Sequence, residues 1–285
     1  MESRARKAGC DTRLSRAGFV FMTIVITFAC AATSARAQAD DLYTSTFVVT
    51  GTGERNRAVG IARCFGDVLI KLTGDQTVVK GRRSNAAVKR AASYVQSFGY
   101  RDLFAGRPIH DEQGSYDRPH ALTVVFNREK MDRVARSLGR EPWLAPRPRI
   151  VVLLGVDNGK TGFMLSADGA GDHSADMREA FAAAAQHVAM QIAFPAQAEL
   201  SAHTAATLPN MSADAAAAIA HNHDGVAVTG RMVFSDKVFG WIADWRMSYG
   251  DRSYRWSVAG VNFDAAFRNA MFGAAQIASG HGAPH

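Results

Sequence analysis

Apolar residues recur along this chain with two periods, two residues and about 3.6, and the change-overs between them mark out its elements. Tyr43 to Val49 alternates, so Leu42 to Thr50 is predicted as a strand. From Thr50 to Asp75 the period lengthens, and Ala58, Ile61, Ala62, Phe65, Val68, Leu69 and Leu72 form one stripe of a long helix. Arg55, Arg57, Arg63 and Lys71 are expected in water; Thr52 is the expected cap, Glu54 suits the first turn and Gly74 the left-handed end. Thr77 to Arg83 is a polar connection, after which Ser84 is predicted to cap a second helix with the stripe Val88, Ala91, Ala92, Val95 and Phe98. Gly99 ends it, and Tyr100 to Phe104 has the aromatic content of a short strand. Gly106 to Pro119 reads as a hairpin loop, His120 to Phe126 as a strand. Asn127 then caps a helix carrying Met131, Val134, Ala135 and Leu138, closed by Gly139.

Three prolines between Pro142 and Pro148 bar both helix and central strand, which makes this stretch the best boundary in the chain. Beyond it, Ile150 to Val156 is apolar at every position but Gly155, as suits a strand covered on both faces. A polar loop broken by Phe163 to Leu165 leads to a helix from Ser174 with the stripe Met177, Phe181, Ala184, Ala185, Val188 and Ile192. Ser212 begins an alanine-rich helix to about His221. Three strands follow, with Val226, Val228, Met232 and Phe234 in phase on the first and Trp241, Ala243, Trp245, Met247 and Tyr249 alternating with Ile242, Asp244, Arg246 and Ser248 on the second. Gly250-Asp251 is a two-residue hairpin turn into Tyr254, Trp256 and Val258. Asn262 caps a last helix with Phe263, Ala266, Phe267, Ala270, Met271, Ala274 and Ile277 on one face. The expected fold is α/β of the α+β type: two small lobes, each a mixed or antiparallel sheet packed with helices. Residues 40–141 form the first lobe, 142–149 the proline-rich junction, 150–278 the second lobe and 279–285 a loose tail.

The first segment changes the charge picture. Arg4, Arg6, Lys7, Arg13 and Arg16 precede the apolar stretch Phe19 to Ala32, and Ala35-Arg36-Ala37 offers a small-x-small cleavage pattern. Residues 1–37 are therefore expected to be a signal peptide, cleaved near Ala37, that sends the chain to the periplasm. Removing those 37 of 285 residues leaves 248. It takes away six of 33 lysines and arginines and two of 26 acids, so the balance falls from +7 to +3. A charge that small argues for no nucleic-acid partner, and no transmembrane span is expected after cleavage. Cys64 is the one cysteine left, so stability must come from burial rather than a disulfide.

An ordered series of short pieces carries a family resemblance. The helix ending VLIKLTGD, the run YVQSFGYRD, the strand ALTVVF and the junction WLAPRPRIVVLL resemble an uncharacterised bacterial exported family, domain-of-unknown-function family 2066. The resemblance spans Leu42 to Ile277 and is densest before Leu154. It implies a periplasmic or envelope location, which the first segment gives independently, and brings no activity and no catalytic residues.

Candidate chemistry is sparse. Gly51-Thr52-Gly53 lacks the third glycine of a dinucleotide fingerprint, because Asn56 stands there. Gly155 to Thr161 puts three residues, not four, between its glycines and is followed by no helix, so it reads as a turn rather than a phosphate loop. His221 and His223, with His203 the nearest other candidate, lack a third ligand at a standard metal spacing. Asp168, Asp172 and Asp176 miss the calcium-loop pattern. Cys64 flanks a buried stripe and reads as a packed thiol. Trp241, Trp245 and Trp256 share a sheet face that the last helix can cover, so they are expected in the core rather than on a sugar-stacking platform.

Lys80, Arg82, Arg83, Lys89 and Arg90 place five cations in eleven positions with no acid between Asp75 and Asp102. Solvation alone accounts for such a cluster, yet it is also the stretch best suited to touch an anionic partner. The expectation is a non-enzymatic, envelope-associated binding or assembly protein without cofactor or metal. Its partner would be an envelope protein, a cell-wall polymer or an anionic lipid surface. The alternative is a periplasmic enzyme or small-ligand binder with its site between the lobes.

Overall fold

The computed structural model describes residues 42–106 and 118–284. The segment expected to be a signal peptide, with its expected cleavage site near Ala37, and most of the Gly106 to Pro119 loop lie outside the described residues. Those residues hold six helices and two sheets. The first sheet consists of β1 (Thr44–Thr50), β2 (Val95–Asp102) and β3 (Pro119–Phe126), ordered β1-β3-β2 with both pairings antiparallel. One face of it carries α1 (Glu54–Thr73) and α3 (Arg128–Ser137), which enclose Leu122, Val124 and Phe126 with Ile61, Phe65, Val68, Leu69 and Met131. Gly60 is where α1 comes closest: a Cβ there would stand 2.6 Å from Leu122 Cδ2. The short α2 (Arg82–Val88) lies in the crossover between β1 and β2.

Several local expectations change. Gly53, not Thr52, occupies the cap position of α1, and it offers no side-chain hydrogen bond. Gly74 is left-handed (φ 71°) and returns its N–H to Ile70 O, as expected. Ala58 is exposed, while Lys71 is only 6 % exposed and donates from Nζ to Thr44 O at 2.9 Å. The second helix does not run from Ser84 to Phe98. It occupies Arg82–Val88 behind Gly81, a 3-10 turn follows at Ala91–Tyr94, and YVQSFGYRD contains all of β2. Ladder pairing decides this: Phe98 lies opposite Val124 and Tyr100 opposite Leu122, and Phe98 itself stays exposed, so backbone pairing with β3 rather than side-chain burial sets the strand.

The second sheet runs β5-β4-β7-β8-β9. Its strands are β4 (Arg149–Asp157), β5 (Gly162–Leu165), β7 (Gly225–Ser235), β8 (Gly240–Tyr249) and β9 (Arg252–Val261); the two-residue β6 (Ile192–Ala193) pairs parallel to the start of β4. β4 and β7 are parallel, and their crossover contains α4 (Asp172–Gln186) and α5 (Ala213–His221). β7, β8 and β9 form an antiparallel meander that ends in α6 (Phe263–Ala278). β4 is covered on both faces: Ile150, Val152 and Leu154 join the core under α4 and α6, and Val151 and Leu153 join Leu208, Ala216 and Ala220 on the other side. α4 stops at Gln186, so Ile192 serves β6 rather than a helical stripe. Asn127, Ser212 and Asn262 cap α3, α5 and α6 as expected, each side-chain oxygen accepting an N–H three residues on.

The aromatic face of the meander is core. Trp245 (1 % exposed) fills the space above Gly230, and Trp256 (6 %) donates its indole N–H to Asn269 O. Trp241 is half-buried at the margin, edge-on to Phe234. The junction is held by Arg147, whose guanidinium donates to Val188 O, Lys71 O and Trp143 O and lies 4.2 Å over the Trp143 ring. Trp143 N–H also donates to Leu72 O, so the strap is tied to α1 at one end and to the α4 end at the other. Beside it, Arg140 Nε reaches Asp75 at 2.6 Å. Burial pulls the Asp75 carboxyl up, but hydrogen bonds from Arg140 and Thr77 outweigh it and hold the group below its ordinary value.

Candidate functional site: a groove on the outer face of the second sheet

The face of β7, β8 and β9 opposite the tryptophans is polar, and register arranges it in rows. Arg231 lies opposite Asp244, which lies opposite Ser257. The next row is Thr229, Arg246 and Arg255, and beyond it Ser248 faces Ser253, their hydroxyls 3.0 Å apart. α5 covers only the β4 and β7 side of this face, where Ala216 and Ala220 meet Ala227, Val151 and Leu153. Between that helix and the uncovered strands runs a groove of about 530 Å³. Ala213, Ala216 and Ala217 line its helical wall, and Thr229, Arg246, Ser248, Ser253 and Arg255 are among its strand residues. A second depression, of about 480 Å³, adjoins it and shares Thr229, Arg246 and Arg255.

None of the residues lining the groove is acidic. Arg246 and Arg255 are direct cross-strand neighbours, an arrangement that costs a few tenths of a kcal/mol or more unless something offsets it. Arg246 Nη2 donates to the carbonyls of Pro209 and, at 3.2 Å, Met211, which pins the loop leading into α5. Burial, then the charge of Arg255, presses the Arg246 guanidinium below the usual arginine value. Arg255 is exposed, and no described residue hydrogen-bonds or ion-pairs with its guanidinium. The site therefore combines two arginines, several hydroxyls, among them Thr229, Ser248 and Ser253, and an apolar wall.

The five cations singled out from the sequence are all exposed and flank or belong to α2. Arg90 alone reaches a surface depression of about 440 Å³, where Lys130 and Arg133 of α3 are its basic neighbours. Lys80, Arg82, Arg83 and Lys89 do not line it. Gly155 to Thr161 is a side-chain-closed hairpin turn, with Asn158 Oδ1 accepting the N–H of Lys160 and Thr161. His223 pairs with Glu199 at 3.1 Å and His221 lines the groove wall, so the two histidines go to different tasks. Among the described residues no group of three His, Cys, Asp or Glu is placed to hold a metal ion. Cys64 is fully buried, and burial pushes its thiol up to about 11, away from a nucleophile.

The sequence signal for the groove was the second phase of the meander. Asp244, Arg246 and Ser248, in phase with Ile242, stand out as the mostly polar alternate of the tryptophan face, and the Gly250-Asp251 turn fixes Arg255 opposite Arg246.

Residues 37–144 match the family model of a domain of unknown function, DUF8605. This corrects the resemblance to family 2066: the first sheet, its helices and the start of the junction are similar to a different family. No curated protein and no solved structure matches the chain. The groove lies wholly outside the matched range. No helix among the described residues is long and apolar enough to cross a membrane.

Proposed function

We propose that this is an exported, envelope-associated binding protein without catalytic activity, and that it holds a small ligand in the groove between α5 and the β7-β8-β9 face. The observation that carries the reading is the groove itself. At about 530 Å³ it is in the range of small-molecule sites, and it sets convergent donors against an apolar wall as such sites do. It offers no acid to pair with a base or nucleophile, which favours capture over chemistry. The first segment's basic, apolar and small-residue pattern supports export to the periplasm.

A test uses phenylnaphthylamine, a neutral fluorophore that brightens in apolar sites. Ala217 is exposed on the groove wall, so Ala217→Trp should fill the groove without touching the core. Saturable binding that the variant abolishes at unchanged melting temperature is expected. Equal binding by both proteins would place the probe elsewhere and remove the reading.

A second surface has its own support. Arg90, Lys130 and Arg133 surround one depression, and Lys80, Arg82, Arg83 and Lys89 are exposed in or beside α2, which suits contact with an anionic envelope polymer, lipid surface or protein.

A further inference from the structure

We propose that the occupant of the groove is an organic acid with an apolar body, its acid group held by Arg255 together with Arg246. This rests on the groove being the binding site. Two arginines directly opposite each other on neighbouring strands repel, and folding alone gives no reason to set them there. Arg246 has a structural duty, since its Nη2 fixes the carbonyls of Pro209 and Met211; its Nε and Nη1 have no described partner. Arg255 has no such duty: no described residue pairs with its guanidinium. Asp244 on the same face belongs to the neighbouring row, opposite Arg231, and lines the adjoining depression with both arginines, but it makes no ion pair with either.

The groove thus presents unneutralised, planar donors that match the two oxygens of a carboxylate, phosphate or sulfonate. Ser248 and Ser253 extend the donor surface along the next row, and Ala217 belongs to an apolar wall on the helix side. An acid group alone would leave that wall wet, and a purely apolar ligand would leave the arginines' charge unmatched. An amphiphilic acid satisfies both.

Two fluorophores of nearly the same body separate the ideas: anilinonaphthalene sulfonate carries the acid group, and phenylnaphthylamine does not. Both are titrated into the full chain and into Arg255→Gln and Ala217→Trp. The expected result is that the sulfonate binds the parent protein more tightly than the neutral probe. Arg255→Gln should then weaken the sulfonate about tenfold or more, the worth of one charge-assisted pair, and leave the neutral probe unchanged. Ala217→Trp should abolish both. If both probes bind, both are lost in Ala217→Trp, and Arg255→Gln changes neither, the acid-group inference is overturned while the groove survives. If Ala217→Trp leaves both unaffected, the groove reading falls and this inference with it.

Discussion

Gly230 on β7 gives the sharpest handle on how the second lobe is packed. A Cβ built there would lie 2.2 Å from Trp245 Cζ3, 2.4 Å from Cε3 and 3.1 Å from Leu154 Cδ1, against ordinary contacts of 3.4–4 Å. The indole cannot swing aside easily: it is buried, and Phe181 stands edge-on to it with ring centroids 6.2 Å apart. Gly230→Ala should therefore cost about 1–3 kcal/mol as overpacking of a rigid core. Trp245→Ala alone should cost about 3–5 kcal/mol. In the Trp245→Ala background the two clashes with the indole are gone and only the milder approach to Leu154 Cδ1 remains, so replacing the strand glycine by alanine should be near neutral or favourable by up to about 0.5–1 kcal/mol. The two changes should thus be coupled by about 2 kcal/mol or more, with the double variant more stable than the sum of the singles. Urea unfolding of the four proteins, followed by far-ultraviolet circular dichroism, reads this directly. An equal cost of Gly230→Ala in both backgrounds would refute the account of the glycine as the seat of the indole.

Other expectations follow from the basic surface, the junction and the first segment. Arg82→Glu with Arg83→Glu should leave stability within about 1 kcal/mol, because both residues are exposed, while reducing association with envelope fractions at low salt; full association would reduce the cluster to a solvated surface. Asp75 is held below its ordinary carboxyl value of 3.8, so it contributes stability that is present above that pH and lost as pH falls through its folded value. Asp75→Asn should accordingly lower stability at neutral pH and flatten the acid limb of a stability–pH curve below about pH 4; an unchanged limb would show that the Arg140 pair plays no such part. Cleavage after Ala37 should give exported protein beginning at Gln38 on N-terminal sequencing, and a chain still beginning at Met1 would remove the signal-peptide reading.

What the sequence made legible was local. Asn127, Ser212 and Asn262 announce their helices because a cap and its amide partner lie three residues apart. The strand expected at Tyr100 to Phe104 caught only the end of β2; its first part, Val95 to Gly99, was missed because Val88, Ala91, Ala92 and Val95 fall at helical spacing by chance, while the strand is decided by partners in β3 more than twenty residues away. Lys71 looked solvated for the same reason: its acceptor, Thr44 O, lies on another element. The charged rows of the groove were half legible, since the Gly250-Asp251 turn sets Arg246 against Arg255. The wall supplied by α5, and the tether from Arg246 to Pro209 and Met211, depend on a crossover that no local pattern encodes. The basic cluster was visible as a run from Lys80 to Arg90, but not its neighbours Lys130 and Arg133, which α3 brings to Arg90.

The most direct test of the central claim is to map where a bound ligand sits. Backbone amide shifts of the isotope-labelled protein, followed during titration with phenylnaphthylamine, report this residue by residue. The account predicts saturable changes confined to the groove, at Ala217, Thr229, Ser248 and Ser253 and their neighbours. Changes centred instead on Arg90, Lys130 and Arg133, or on the junction around Trp143 and Arg147, would contradict it.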